Sequence, residues 1–124
     1  MLWLSIACGG ALGAMSRYAI SLAWPFDGKH FPWGTFIANA LGCFVMAVLY
    51  VLIVQKQLIP ASWRPFLGVG FLGAFTTFST FSLEALILIH HQQWAMAMVY
   101  VVATLLSCLL LGAAGFAGSH QLIN

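Results

Sequence analysis

Residues 73–84 read GAFTTFSTFSLE, which places five hydroxyl residues, three phenylalanines and a carboxylate within an otherwise apolar stretch. Thr76, Thr77, Ser79, Thr80 and Ser82 fall on every face of a regular helix. In a continuous membrane helix several of them would be left to bond back onto their own backbone. A break uses them better. Irregular backbone inside a bilayer is tolerated only where protein covers it or where it lines a wet cavity. The run therefore predicts a third helix broken near mid-membrane, with Gly70 and Gly73 helping the chain unwind and the freed carbonyls open to a hard cation such as Na⁺. Phe75, Phe78 and Phe81 recur at every third position. By spacing alone such a stripe is core or lipid-facing. Among hydroxyls, ring edges, which carry the positive part of the aromatic quadrupole, favour an anion without the full charge that would trap it.

Other polar residues point the same way. Arg17 stands within the first apolar run. It either snorkels to the interface or faces a protein interior or wet cavity, where a cation concentrates anions. Asn39, in GTFIANALG, sits near the middle of the second run and must find partners, across helices or along an anion path. Tyr100, Thr104, Ser107 and Cys108 are spaced to share one face of the fourth helix, as interhelical glue or as a track of donors. Glu84, a turn beyond the last phenylalanine of the run, is the one acid within a span. It suits a polar mouth, or a pairing with Arg17 or Lys29 of a neighbour. Cys8, Cys43 and Cys108 are widely spaced in apolar runs, which fits packing residues and neither a disulfide framework nor a metal-ligand spacing. GVGFLG (68–73) matches a dinucleotide-binding fingerprint in letters only, since no βαβ context surrounds it; its glycines read as close packing or a helix break.

These residues must be carried by membrane helices. Of the 124 residues, 63% are hydrophobic and 5% charged, against about 45–50% and 25% in soluble proteins. A net charge of +2 from scattered residues excludes a nucleic-acid footprint. No nucleophile with a base, metal cluster or phosphate loop is legible, so an enzyme is not expected. A span needs about 20 mostly apolar residues, and the chain offers four, at 2–24, 33–54, 63–89 and 94–116, in a single membrane domain over 1–124. The first lacks a basic leader and is expected to stay in the mature chain. Trp3, Trp24, Trp33, Trp63 and Trp94 mark the span ends as an aromatic belt. Lys56 and Arg64 on one side are nearly balanced by Lys29 and Arg17 on the other. So weak a bias allows both insertions and hence an antiparallel, dual-topology homodimer. Gly9 and Gly13, Gly34 and Gly42, and Gly112 and Gly115 permit close helix contacts. A pathway is expected at a subunit interface.

GGALGAMSRY, GTFIANALG and above all GFLGAFTTFSTFSLE, joined by the hydroxyl face of the fourth helix, resemble the Fluc family of fluoride channels, also called CrcB proteins. The resemblance covers essentially the whole chain. It implies a multi-pass protein of the bacterial inner (plasma) membrane that passes fluoride passively out of the cytoplasm to relieve its toxicity. Two pores would lie at the interface of an antiparallel homodimer in the lipid bilayer. It further implies that Phe78 and Phe81 supply the ring edges of each pore, Asn39 a donor, and Ser79 and Thr80 the hydroxyls between the rings. Arg17 matches the buried family arginine, Glu84 the acid beyond the rings, and Tyr100 and Thr104 the polar track. Gly73 and Thr76 match positions whose backbone carbonyls hold a structural Na⁺ at the dimer centre. Cys108 departs from the serine of relatives; a thiol is a weak donor, so the track breaks there or passes to Ser107. The competing readings are a small multidrug-type, proton-coupled exporter, which needs a titratable carboxylate in its substrate site, and a non-transporting membrane scaffold.

Overall fold

A computed structural model describes residues 1–123, and all regular structure among them is helical. Helix α1 spans Leu2–Ala23, and α2 (Trp33–Tyr50) runs on through a π-wound turn, Val51–Gln55. A single 3₁₀ turn (Ala61–Trp63) leads into a π-wound segment, Pro65–Leu72, and the short α3 (Gly73–Phe75). After an interruption come α4 (Phe78–His90) and α5 (Trp94–Leu122). The stretches Trp33–Gln55, Ala61–His90 and Trp94–Leu122 are each long and apolar enough to cross a membrane. Helix α1 has the length, with 22 residues, but is not among them. Arg17, three serines and three glycines dilute its apolar residues.

Glycine decides how these helices touch. A Cβ on Gly9 would run into the carbonyl of Phe66, and one on Gly13 into that of Phe71. From the other side, a Cβ on Gly70 would lie 2.9 Å from the Ile6 carbonyl oxygen. Helix α1 and Pro65–Leu72 therefore meet backbone to backbone, as small residues permit in apolar surroundings where packing must do what hydrophobicity cannot. Helices α2 and α5 use the same device, Gly115 facing the Phe44 carbonyl.

The predicted break in the third helix is present, but not at its glycines. Gly73 keeps helical dihedrals (φ −61°, ψ −36°). Thr76 (φ −86°, ψ 154°) and Thr77 (φ −153°, ψ 123°) are the extended residues. Gly70 is committed to the contact with α1, while β-branched threonine is at ease in extended backbone. The Thr77 hydroxyl also starts the next helix, accepting from the Thr80 N–H at 3.2 Å as an N-cap.

Phe81, Ala85 and Leu88 of α4 pack with Ala97 and Tyr100 of α5. The connection before α2 closes over this cluster with Phe31, whose ring meets Tyr100 edge-on at 5.3 Å. Asp27 organises that connection by accepting from the backbone N–H groups of Lys29 and His30, which holds its carboxyl well below the usual range. Gly28, at φ +84°, brings its carbonyl 3.0 Å from His91 Nδ1 and ties the loop to the α4–α5 turn.

The seam between α1 and Pro65–Leu72 yields the first prediction. Gly13→Ala should lower stability in detergent by about 1–3 kcal/mol, the usual cost of overpacking. Gly118→Ala, where the added Cβ meets nothing within 4 Å, should not lower the thermal unfolding midpoint and should raise it slightly through alanine's better helix propensity.

Candidate functional site

The break is held by side chains from two other helices. The Asn39 side chain, buried on α2, donates from Nδ2 to the Thr77 carbonyl at 2.9 Å and accepts from the Thr77 N–H at 2.7 Å. Both backbone groups of one extended residue are thus satisfied by one amide. Arg17 Nε, from α1, donates to the Ala74 carbonyl at 3.1 Å. The guanidinium therefore braces the end of α3, where the helix has run out of donors. Thr76 turns its own hydroxyl back onto the Leu72 carbonyl at 2.9 Å.

This wiring has a consequence for two further carbonyls. In a continuous helix the Gly73 and Thr76 carbonyls would accept from the N–H groups four residues on, those of Thr77 and Thr80. Those donors are spent on Asn39 Oδ1 and on the Thr77 hydroxyl. The Gly73 and Thr76 carbonyls are thus among those that the break deprives of their usual helical donors.

Beside the break lies an open cavity of about 390 Å³ whose wall includes Asn39, Gly73, Thr76, Thr77, Phe78, Phe81, Thr104 and Cys108. The Thr104 hydroxyl is buried and finds no hydrogen-bond partner among the described residues. A buried orphan hydroxyl costs about 1–3 kcal/mol unless a ligand or water answers it. Phe78 is 74% exposed and Phe81 only 6%. Their rings are 5.5 Å apart and inclined by 61°, so an edge of one points at a face of the other. Phe81 continues this ladder to Tyr100 at 5.1 Å and 62°.

The other expected site residues stand off this wall. Glu84 is buried and accepts from the Tyr100 hydroxyl at 3.0 Å. Within the chain its hydrogen-bond partner is thus Tyr100. Ser79 is exposed, Thr80 and Ser107 are half-buried, and none of the three lines the cavity. Sequence reasoning missed Cys43, which lines the cavity one turn beyond Asn39. It also missed Thr77, the hub of the break. The four-residue spacing from Asn39 was the available signal for the first, and the N-cap pattern of Thr77 ahead of Thr80 for the second.

A family model described as "CrcB-like protein, Camphor Resistance (CrcB)" matches residues 4–116. The chain belongs to the CrcB family. A relative from Saccharophagus degradans, named fluoride-specific ion channel FluC, is 52% identical over 103 residues, covering 83% of this chain and 77% of its own. One of the same name from Magnetococcus marinus is 45% identical over 106 residues, 85% of this chain and 86% of its own. A third from Bacillus cereus, FluC 1, is 38% identical and spans 100% of this chain and 91% of its own. The CrcB family is thus one of ion channels rather than enzymes, which agrees with an apolar helical chain from which no catalytic constellation was legible.

Removal of the Asn39 amide tests the brace. Asn39→Leu strips both partners from Thr77 and should cost at least about 2 kcal/mol, since each unsatisfied buried group costs about 1–3 kcal/mol. Thr77→Val removes the cap and an exposed 3.3 Å contact with the Ser79 hydroxyl and should cost about 1 kcal/mol. Denaturant unfolding of both variants in detergent orders them, and equal losses would contradict the brace.

Proposed function

We propose that this chain is a passive, fluoride-selective channel of the bacterial inner membrane that lets fluoride leave the cytoplasm. The observation that carries the reading is the unpartnered Thr104 hydroxyl, set in one wall with the Phe78 and Phe81 rings and Asn39. The names of the relatives support the ion. Fluoride is small and strongly hydrated, so a pore must replace its water with donors while still letting it go. A free hydroxyl and ring edges do this at a cost the ion can repay, and no cation stands in the wall to hold it.

The cavity is open and Phe78 is exposed, so a second copy completes the path. An antiparallel homodimer makes two such paths at its interface, and all four helices span the bilayer, α1 shielded by its seam with Pro65–Leu72. Gly73 and Thr76 fit a structural Na⁺, since their carbonyls are released by the break; when bound, the ion supplies a positive cross-brace between the subunits. Arg17, exposed enough to be felt from the entrance, raises the local concentration of anions while bracing Ala74. Glu84 and Tyr100 fix the far end of the aromatic ladder, and Ser79, Thr80 and Ser107 serve the ion once the partner narrows the path. A proton-coupled exporter is disfavoured, because the one acid within a span is bound to Tyr100 and lies off the cavity wall.

Liposomes loaded with potassium fluoride and containing the purified protein in sodium buffer should release fluoride rapidly and chloride hardly at all. Phe78→Ile should bring efflux to background. Thr104→Val should slow it about tenfold, the worth of one hydrogen bond. A folded dimer that passes no fluoride under these conditions would overturn the proposal.

A further inference from the structure

Two of the three cysteines share the same cavity walls. Cys43 lies one turn beyond Asn39 on α2, and Cys108 one turn beyond Thr104 on α5. The helices are close at that level, since a Cβ on Gly112 would lie 3.9 Å from the Cys43 carbonyl oxygen. Both side chains line the 390 Å³ cavity and also a neighbouring, more apolar one of about 650 Å³, so the pair forms the divide between them. Cys8 is elsewhere, exposed on α1.

The donor set restricts what such a pair can take. Neither wall contains histidine, aspartate or glutamate among the described residues. Tetrahedral zinc would need two more ligands, and hard cations need oxygens. Two sulfurs alone suit a soft ion content with linear two-coordination. Charge narrows the choice further. A monovalent ion on two thiolates leaves a net negative charge in an apolar wall, which is costly, whereas a divalent ion leaves none.

We propose that Cys43 and Cys108 form a two-thiolate site for a soft divalent cation of the Hg²⁺ class, held between α2 and α5. On binding, each S–H loses its proton, two S–metal bonds form and two protons enter the solvent; no atom changes oxidation state. The site rests on the two thiols and their surroundings and is independent of what the chain conducts.

The test uses full-length protein carrying Cys8→Ala, reduced, in detergent, with Hg²⁺ as the probe. After one equivalent of HgCl₂ and desalting in excess monothiol, elemental analysis should find about one equivalent retained per chain. A monothiol strips a metal held by one sulfur far more readily than one chelated by two. Adding Cys43→Ser or Cys108→Ser to that chain should lower retention by about tenfold or more, in protein whose size-exclusion profile is unchanged. Equal retention in either variant, or none in the parent, overturns the site. A second readout deletes no further thiol: bound Hg²⁺ should protect both Cys43 and Cys108 from maleimide in mass spectra, and alkylation of either at the metal-free rate also overturns it.

Discussion

The structure turns on two hydrogen bonds between one amide and one extended residue, Asn39 and Thr77. Interrupting a helix in an apolar environment strands backbone donors and acceptors that no solvent can answer. Asn39 answers a donor and an acceptor at once, Arg17 takes the Ala74 carbonyl, and the Thr77 hydroxyl caps α4. With those groups settled, the chain can change direction between α3 and α4 and aim Phe78 outward while Phe81 stays in the core. The released carbonyls of Gly73 and Thr76 are by-products of the same settlement.

Around this point the fold separates rigid from open surfaces. Glycine seams lock α1 against Pro65–Leu72 and α2 against α5 at backbone distance. An aromatic ladder from Phe31 through Tyr100 and Phe81 to Phe78 then carries order from the buried end of α4 to its exposed start. Tyr100 fixes that ladder by its hydroxyl to Glu84. What stays open is the cavity beside the break, where the Thr104 hydroxyl is buried without a partner among the described residues. In the proposed channel, that donor beside ring edges gives a small anion a modest affinity that it can also leave.

Much of this was legible in residue order. The hydroxyl run forecast the break, tryptophans stand at several helix ends, and the family resemblance named Asn39, Phe78, Phe81 and Thr104 of the cavity wall but neither Cys43 nor Thr77. The break lies within the hydroxyl run, but Gly70 and Gly73 stay wound, because glycine marks both flexibility and close approach, and at Gly70 the second use wins. Helix α1 is less apolar than the other long stretches because the glycines that let it pack closely, with its serines and Arg17, dilute its apolar residues. The roles of Asn39 and Arg17 as braces were hidden because they depend on long-range pairing. Asn39 and Thr77 are 38 residues apart, and Arg17 and Ala74 are 57 apart. The shared walls of Cys43 and Cys108 were invisible for the same reason, as isolated cysteines in apolar runs look alike.

The tryptophans carry a last implication, an optical one. Trp3, Trp24, Trp33, Trp63 and Trp94 are all exposed at or near helix ends, and none lines the cavity. Their emission therefore reports the boundary of the apolar layer, averaged over five similar settings, and hardly changes with what occupies the wall between α2, α4 and α5. A chain rich in the brightest natural fluorophore is nearly dark at its own site, and a single tryptophan placed beside the break in an otherwise tryptophan-free background would be the lamp it lacks.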